Sequence, residues 1–254
     1  MTQTAHISFS ELKQWVQCPF YHKLVRIDKL GGFRGNEYTA FGTAIHSVCE
    51  KKLLHEEMES DFFVKELEKN IAELDDDIDI NNKLVADMSH QGNKIIPEIE
   101  DGLKEYFGEY EVVAVEQSLM EPFDDQYNFK GFIDAVLKTP DGKYHIVDWK
   151  SCSWGWNAKK RSDPMVTYQL TFYKYFYARK LNIDVKDIET HFALLKRTAK
   201  SNHVEFFRVT SGPRKTENAI KLLQKALYNI KNKRYIKNRL SCDRCEYRQT
   251  EHCP

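Results

Sequence analysis

Apolar residues recur along this chain with two different periods. After Thr39, the residues Phe41, Ile45, Val48, Cys49 and Leu53 fall three and four positions apart, which predicts a helix with one buried face. Between 111 and 149 the apolar runs shorten, and 111–120, 127–137 and 144–149 read as three strands. Pro140-Asp141-Gly142-Lys143 joins the last two as a hairpin, because proline presets φ and glycine accepts a positive one. Before them, 8–27 reads as helix, capped by Ser8 or Ser10, with Leu12, Trp15 and Val16 on one face and an interruption at Cys18-Pro19. A glycine-rich loop covers 31–38. Residues 83–110 read as a long helix bent at Pro97. After the hairpin come a helix at 164–181, strands at 188–197 and 203–210, and a helix at 211–233 with Pro213 in its first turn. There is no internal repeat and no low-complexity linker. The pattern predicts one α/β domain over 1–254: a mainly helical part to 110, an α/β core from 111 to 210, and a C-terminal helix with a cysteine-rich tail from 211.

Composition adds three constraints. Hydrophobic residues make up 41% of the 254, enough for a substantial core, yet no run reaches the length of a membrane span. The opening MTQTAHISFS lacks the basic-then-apolar order of a secretory signal. A cytoplasmic home is therefore expected, with the six cysteines reduced. The net charge of zero hides an asymmetry. From Lys196 onward there are 15 Lys+Arg against 5 Asp+Glu, and in the remainder 23 against 33. A basic C-terminal quarter suits a polyanionic partner. Residues 56–79 carry the opposite bias, with eleven acids and two lysines, and read as a solvated helix followed by a turn or mobile segment at Asp75–Asp77.

The chemistry concentrates at the hairpin. Asp134 interrupts an apolar strand, and Asp148 ends the next one as Asp148-Trp149-Lys150. Residues two apart on a strand share a face, so Asp148 and Lys150 point the same way. An acid inside a strand needs a compensating partner. Two acids and a lysine converging here would bind a divalent cation and set an ammonium beside it, the composition of a metal-dependent phosphodiesterase.

Four motifs in order carry a resemblance to a known family. Gly42-Thr43-Ala44-Ile45-His46 resembles the G-x-x-x-H motif of RecB-type nucleases, and Gly131-Phe132-Ile133-Asp134 resembles their second motif. Asp148-Trp149-Lys150 is similar to the (D/E)-x-K that defines the PD-(D/E)XK nucleases, and Gln169-Leu170-Thr171-Phe172-Tyr173 to the Q-x-x-x-Y that follows it in this subgroup. The resemblance implies a mixed central sheet flanked by helices. It also implies a Mg²⁺ or Mn²⁺ site made by His46, Asp134, Asp148 and the Trp149 carbonyl. Lys150 would orient or deprotonate the attacking water and stabilise the transition state, and Gln169 and Tyr173 would hold the lysine and the substrate backbone in place. Glu116, closing the run VVAVE, reads as a weaker supporting candidate beside an ordinary edge-strand charge.

Cys242-x-x-Cys245 and Cys253 place three thiols in the tail, a spacing common in metal knuckles. On thiolate count alone zinc and an iron–sulfur cluster both remain open, with His252 able to replace a cysteine at zinc. The segment SFSELKQWVQCPFYHKL resembles the N-terminal motif of the iron–sulfur RecB-type nucleases, the AddB and Cas-four-type group. That resemblance implies a [4Fe-4S] cluster held by Cys18, Cys242, Cys245 and Cys253, which would staple the chain ends together, with structural Zn²⁺ as the alternative. Cys49 reads as core and Cys152 as incidental.

The loop after the hairpin mixes Trp154 and Trp156 with Lys159, Lys160 and Arg161, a stacking and cationic approach for unpaired DNA; the competing reading has the tryptophans capping the core. Arg197, Lys200 and the basic stretch from Lys231 to Arg239 would add salt-dependent affinity. The expected activity is a metal-dependent DNA exonuclease on single-stranded or frayed ends, in recombination and repair, phage DNA metabolism or CRISPR adaptation. No P-loop is present, so a helicase partner would be a separate chain. The other readings are an idle or scaffolding DNA-binding module, a structure-specific endonuclease and an RNA nuclease.

Overall fold

A computed structural model describes residues 5–254; the first four residues of the stretch read for a signal lie outside them. In chain order, β1 (Ala5–Ser8) leads into α1 (Phe9–Gln17), whose first turn is capped by Ser8 accepting from the Glu11 amide. Pro19 starts the short α2 (Pro19–His22), and a π-helical turn carries the chain to Ile27. Then come α3 (Glu37–Leu53), α4 (Phe62–Ala72), α5 (Asn82–Ile95) and α6 (Glu98–Phe107). Strands β2 (Glu111–Pro122), β3 (Tyr127–Lys138) and β4 (Tyr144–Cys152) follow, then α7 (Ala158–Ser162), α8 (Pro164–Leu181), β5 (Ile188–Lys196), β6 (Val204–Arg208) and α9 (Pro213–Lys231).

The folded chain groups into two compact units. The smaller draws on both chain ends, Met1–Phe33 and Ser211–Pro254, together with Met120–Gly131; the larger holds Arg34–Leu119 and Phe132–Thr210. In the smaller unit β1 pairs in parallel with Tyr127–Lys130 of β3, and α1 packs against β1 and α9. The sequence pattern missed β1 because four residues are too few to show alternation.

In the larger unit β3 and β4 run antiparallel, β4 and β5 parallel, and β5 and β6 antiparallel, which makes a mixed sheet. Period-two alternation divides its side chains. Ala135, Leu137, Val147, Trp149, Ala193 and Leu195 share one core with Ala40, Phe41, Ala44, Ile45 and Val48 of α3 and with buried residues of α4, α5 and α6. Asp148 and Lys150 therefore point to the opposite face, where α8 contacts β4 and β5. The helix expected over 83–110 is two helices, α5 and α6, separated at Ile96-Pro97 and closed by Gly108 at φ +70°. Gly92 is set by packing: a Cβ there would lie 2.0 Å from the Phe63 ring. The acidic stretch after Leu53 is not all solvated, since Phe63 and Leu67 of α4 are buried. Asp75 and Asp77 pair with Arg34.

One buried polar group of this sheet has a consequence for stability. His145 and His191 hydrogen-bond each other (3.1 Å), with Thr139 on His145 Nε2 (2.9 Å) and Tyr106 on His191 Nδ1 (3.2 Å). Glu189 lies beside them but is held by Lys143 and Arg208. Burial first, then His145 and Arg208, push His191 down to about 3. A base with a depressed folded pKa contributes stability above its unfolded value, and that stability is lost as pH falls toward the folded value. Between pH 6.5 and 4.5 the wild type should lose up to about 1.4 kcal/mol per pH unit through this group. His191→Gln should show a shallower loss in chemical denaturation; an identical pH slope would contradict the assignment.

Candidate active site and cysteine cavity

The β3–β4 ladder runs from Lys138↔Tyr144 to Ala135↔Val147. Asp134 and Asp148 are the next residues on the two strands, beyond the last paired positions. There the Asp134 carboxylate takes over a backbone donor, accepting the Trp149 amide at 2.7 Å through Oδ2. Its side chain is 14% exposed, and that of Asp148 is 1%. Asp148 Oδ1 accepts from Gln169 Nε2 (2.8 Å), which also donates to the Tyr173 hydroxyl (3.1 Å). Asp148 Oδ2 forms an ion pair with Lys150 and has no hydrogen-bond partner otherwise. Gln169 and Tyr173 reach the acids because they lie four apart on α8, one above the other on the same face. That helix starts at Pro164 behind an Asp163 cap and stops at Asn182 in the left-handed region.

His46 comes from α3, which Asn36 and Thr39 start with a capping box. Its Nδ1 lies 3.8 Å from Asp134 Oδ2, and the Trp149 carbonyl is a hydrogen-bond acceptor beside the ring. The Trp149 indole itself is in the core. His46, Asp134 and Glu116 each offer a ligand atom within 4.8 Å of the others. Glu116 is the residue the sequence undervalued. It sits in β2 at φ +45°, a left-handed conformation that costs a non-glycine residue about 1–3 kcal/mol. The signal that could have found it is the same as for Asp134, an acid set within a strand of apolar residues.

Electrostatics tie these groups together. Burial pushes Asp148 up to about 6 against the pull of Lys150, and Asp134 adds to the rise. Burial likewise raises Asp134 to about 6, with Lys150 and the Trp149 amide opposing. Burial disfavours the Lys150 charge, but the two carboxylates outweigh it and hold the ammonium above its ordinary value. Burial, then Lys150, brings His46 down to about 4, so its imidazole is neutral near pH 7 and carries a free lone pair. Burial, then Glu50 and Asp148, raise Glu116. Surplus negative charge, a neutral imidazole and converging carboxylate oxygens form a donor set suited to a hard divalent cation. His145, Glu189 and His191 also bring three donor atoms together, but Thr139, Tyr106, Lys143 and Arg208 already occupy them.

The loop after β4 divides. Trp154 is 77% exposed, and Lys159 and Lys160 are exposed. Trp156 is not available to a base: its indole is 9% exposed and packs on Phe192 and Phe207. This corrects its reading as a DNA contact, because the apolar ring gains more from the core beneath the loop than from the surface. Arg161 braces the same spot, donating to the Trp156 carbonyl (2.8 Å) and pairing with Glu205.

In the smaller unit Cys18, Cys242, Cys245 and Cys253 line one cavity of about 320 Å³, with Phe20 and Tyr247 among its walls. All four thiols are free and half-buried. Burial raises the Cys245 thiol, and the Cys242, Cys253 and Cys18 sulfurs add to the rise. The Asn238 amide donates to Cys18 Sγ at 3.2 Å. Among the described residues, no three of these sulfurs lie within 4.8 Å of one another. Cys49 is fully buried in the core of the larger unit.

No curated protein matches this chain in sequence. Among solved structures, a candidate exonuclease from Eubacterium rectale superposes with a TM-score of 0.61 at 14% identity, covering 95% of this chain and 86% of that one. SSO0001, at 12% identity with 97% and 85% covered, has a TM-score of 0.45, too low to carry an argument. The first likeness concerns the fold alone. The model of the PD-(D/E)XK nuclease superfamily matches residues 6–253. Nearly the whole sequence is matched, including the strands that hold Asp134, Asp148 and Lys150, and so the chain belongs to the PD-(D/E)XK nuclease superfamily.

Proposed function

We propose that this protein is a divalent-metal-dependent DNA exonuclease acting on single-stranded or frayed ends. The observation that carries the reading is the convergence of Asp134, Asp148 and Lys150 where β3 and β4 part, with His46 and Glu116 beside them. What a Mg²⁺ or Mn²⁺ ion supplies at such a site is charge neutralisation at the attacked phosphate and a more acidic water. His46, Glu116, Asp134 and Asp148, with the Trp149 carbonyl, are the groups that would hold it. Lys150 is fixed by Asp148 and stays charged, so it can orient the attacking water and offset charge on the phosphate oxygens. Gln169 and Tyr173 are positioning residues: they fix the Asp148 rotamer from α8. Trp154, Lys159 and Lys160, exposed on the segment that follows β4, would give unpaired bases and backbone phosphates a place to bind. The intact acids and lysine argue against an idle binding module. The RecB-like and iron–sulfur exonuclease subgroup, a role in recombination and repair or CRISPR adaptation, and a separate helicase partner are the biological settings this reading favours. No helix among the described residues is long and apolar enough to cross a membrane.

The cysteine cavity fits a [4Fe-4S] cluster held by Cys18, Cys242, Cys245 and Cys253. Four thiols lining one cavity are what supports the cluster, with structural Zn²⁺ as the alternative.

Three outcomes test this reading. Asp148→Asn and Lys150→Met should each lower Mn²⁺-dependent cleavage of labelled single-stranded DNA by about 100-fold or more while the circular dichroism stays native; retained cleavage would remove the central assignment. Glu116→Gln should raise the Mn²⁺ concentration giving half-maximal activity by roughly 10-fold, and an unchanged metal dependence would return Glu116 to a structural role. Protein purified without oxygen should contain iron and show the broad visible absorbance of an iron–sulfur cluster, and Cys18→Ser should lose both; zinc in place of iron would favour the other metal.

A further inference from the structure

Arg197 is an unusual cation for this structure. It directly follows β5 and is 7% exposed. Its guanidinium lies 4.9 Å from the Tyr38 ring centroid and 5.5 Å from that of Phe41, both on α3, and Nη1 donates to Gln91 Oε1 at 3.1 Å. Among the described residues it has no carboxylate partner. Other cations of the larger unit do: Arg34 pairs with Asp77, Arg161 and Lys196 with Glu205, and Arg208 with Glu189. A guanidinium carries five N–H donors in a fork that matches phosphate oxygens, and only one of them has a side-chain acceptor here. Burying a cation without an anion is costly, and burial pulls this one below its ordinary pKa. An anion arriving from outside would remove that penalty.

Its position points to which anion. The Arg197 amide donates to the Cys152 carbonyl (2.9 Å) and the Thr198 amide to that of Ser153 (2.9 Å), so Arg197 is tied to the segment that follows Lys150 directly. Tyr38, 50% exposed, lies on the same helix as His46, eight residues earlier. At 1.5 Å per residue that is about 12 Å of helix, a distance on the scale of a few nucleotides of one strand.

We propose that Arg197 and Tyr38 form a subsite for the sugar–phosphate backbone of the nucleic-acid strand, a few nucleotides from the reacting phosphate. Arg197 takes a phosphate through its open fork, with Gln91 holding the guanidinium in plane, and the exposed Tyr38 ring stacks on the adjoining base. The subsite rests on the nuclease reading and extends it by giving the strand a second point of register.

The test is binding of the full-length protein to a fluorescein-labelled 20-nucleotide oligothymidylate by anisotropy, in EDTA so that nothing is cut, at several salt concentrations. Arg197→Gln should bind about 10-fold more weakly and reduce the slope of log affinity against log salt by about 0.7. Arg197→Lys keeps the charge and should keep the slope while losing part of the affinity. Tyr38→Ala should weaken binding with no change in slope. Thermal midpoints within a few degrees of wild type separate these effects from unfolding, and if the glutamine variant fails to fold, the lysine variant decides by its affinity. Wild-type slope and affinity in both arginine variants would overturn the subsite while leaving the nuclease reading intact. A wild-type protein that binds no oligonucleotide and cleaves none would overturn both.

Discussion

The site is organised around the compensation of one buried charge. The Asp148 carboxylate is taken almost wholly out of water, a transfer that raises its proton affinity unless opposite charge and hydrogen bonds offset it. Lys150 offsets it from two residues along the same strand, and Gln169 from α8. Neither compensation works without the other elements in place. Lys150 shares a face with Asp148 only because β4 stays extended through Cys152, and Gln169 reaches it only because α8 packs on that face. The parting of β3 from β4 completes the arrangement, because it frees the Trp149 amide for the Asp134 carboxylate and fixes the second acid opposite the first. The fold thus concentrates negative potential at the strand fork and leaves a neutral imidazole, His46, at its edge.

Much of this was legible in the residues themselves. Helix α8 was readable almost to the residue, because Pro164 starts it and its apolar positions run continuously to Leu181. The hairpin was readable because Gly142 is needed at φ +86° between two apolar runs. Asp134, Asp148 and Lys150 stood out because acids inside apolar strands have no other local explanation. The less legible features depend on tertiary placement. Glu116 looks like an edge charge until β2 is seen to turn it toward His46 and Asp134 through a left-handed residue. Trp156 looks like its neighbour Trp154, and only the aromatic floor of Phe192 and Phe207 distinguishes a core ring from an exposed one. The His145–His191 pair joins strands whose parallel register no local pattern encodes.

The cysteines present a different case. Local spacing marked Cys242 and Cys245 as a metal knuckle, but the relation of Cys18 to them spans most of the chain and rested on resemblance alone. The smaller unit brings these four thiols to one cavity, walled by residues from both chain ends. A group held by all four thiols would join segments more than two hundred residues apart, and loop-closure entropy would give that cross-link leverage on stability.

Everything above depends on whether the strand fork is a metal-dependent phosphodiesterase. The most direct measurement follows single-stranded DNA labelled at its 5′ or 3′ end through one preparation taken in sequence through Mn²⁺, excess EDTA and restored Mn²⁺. The account predicts stepwise shortening from an end in the first stage, arrest in the second and recovery in the third. Cleavage that persists in EDTA, or intact DNA throughout with both Mn²⁺ and Mg²⁺, would contradict it.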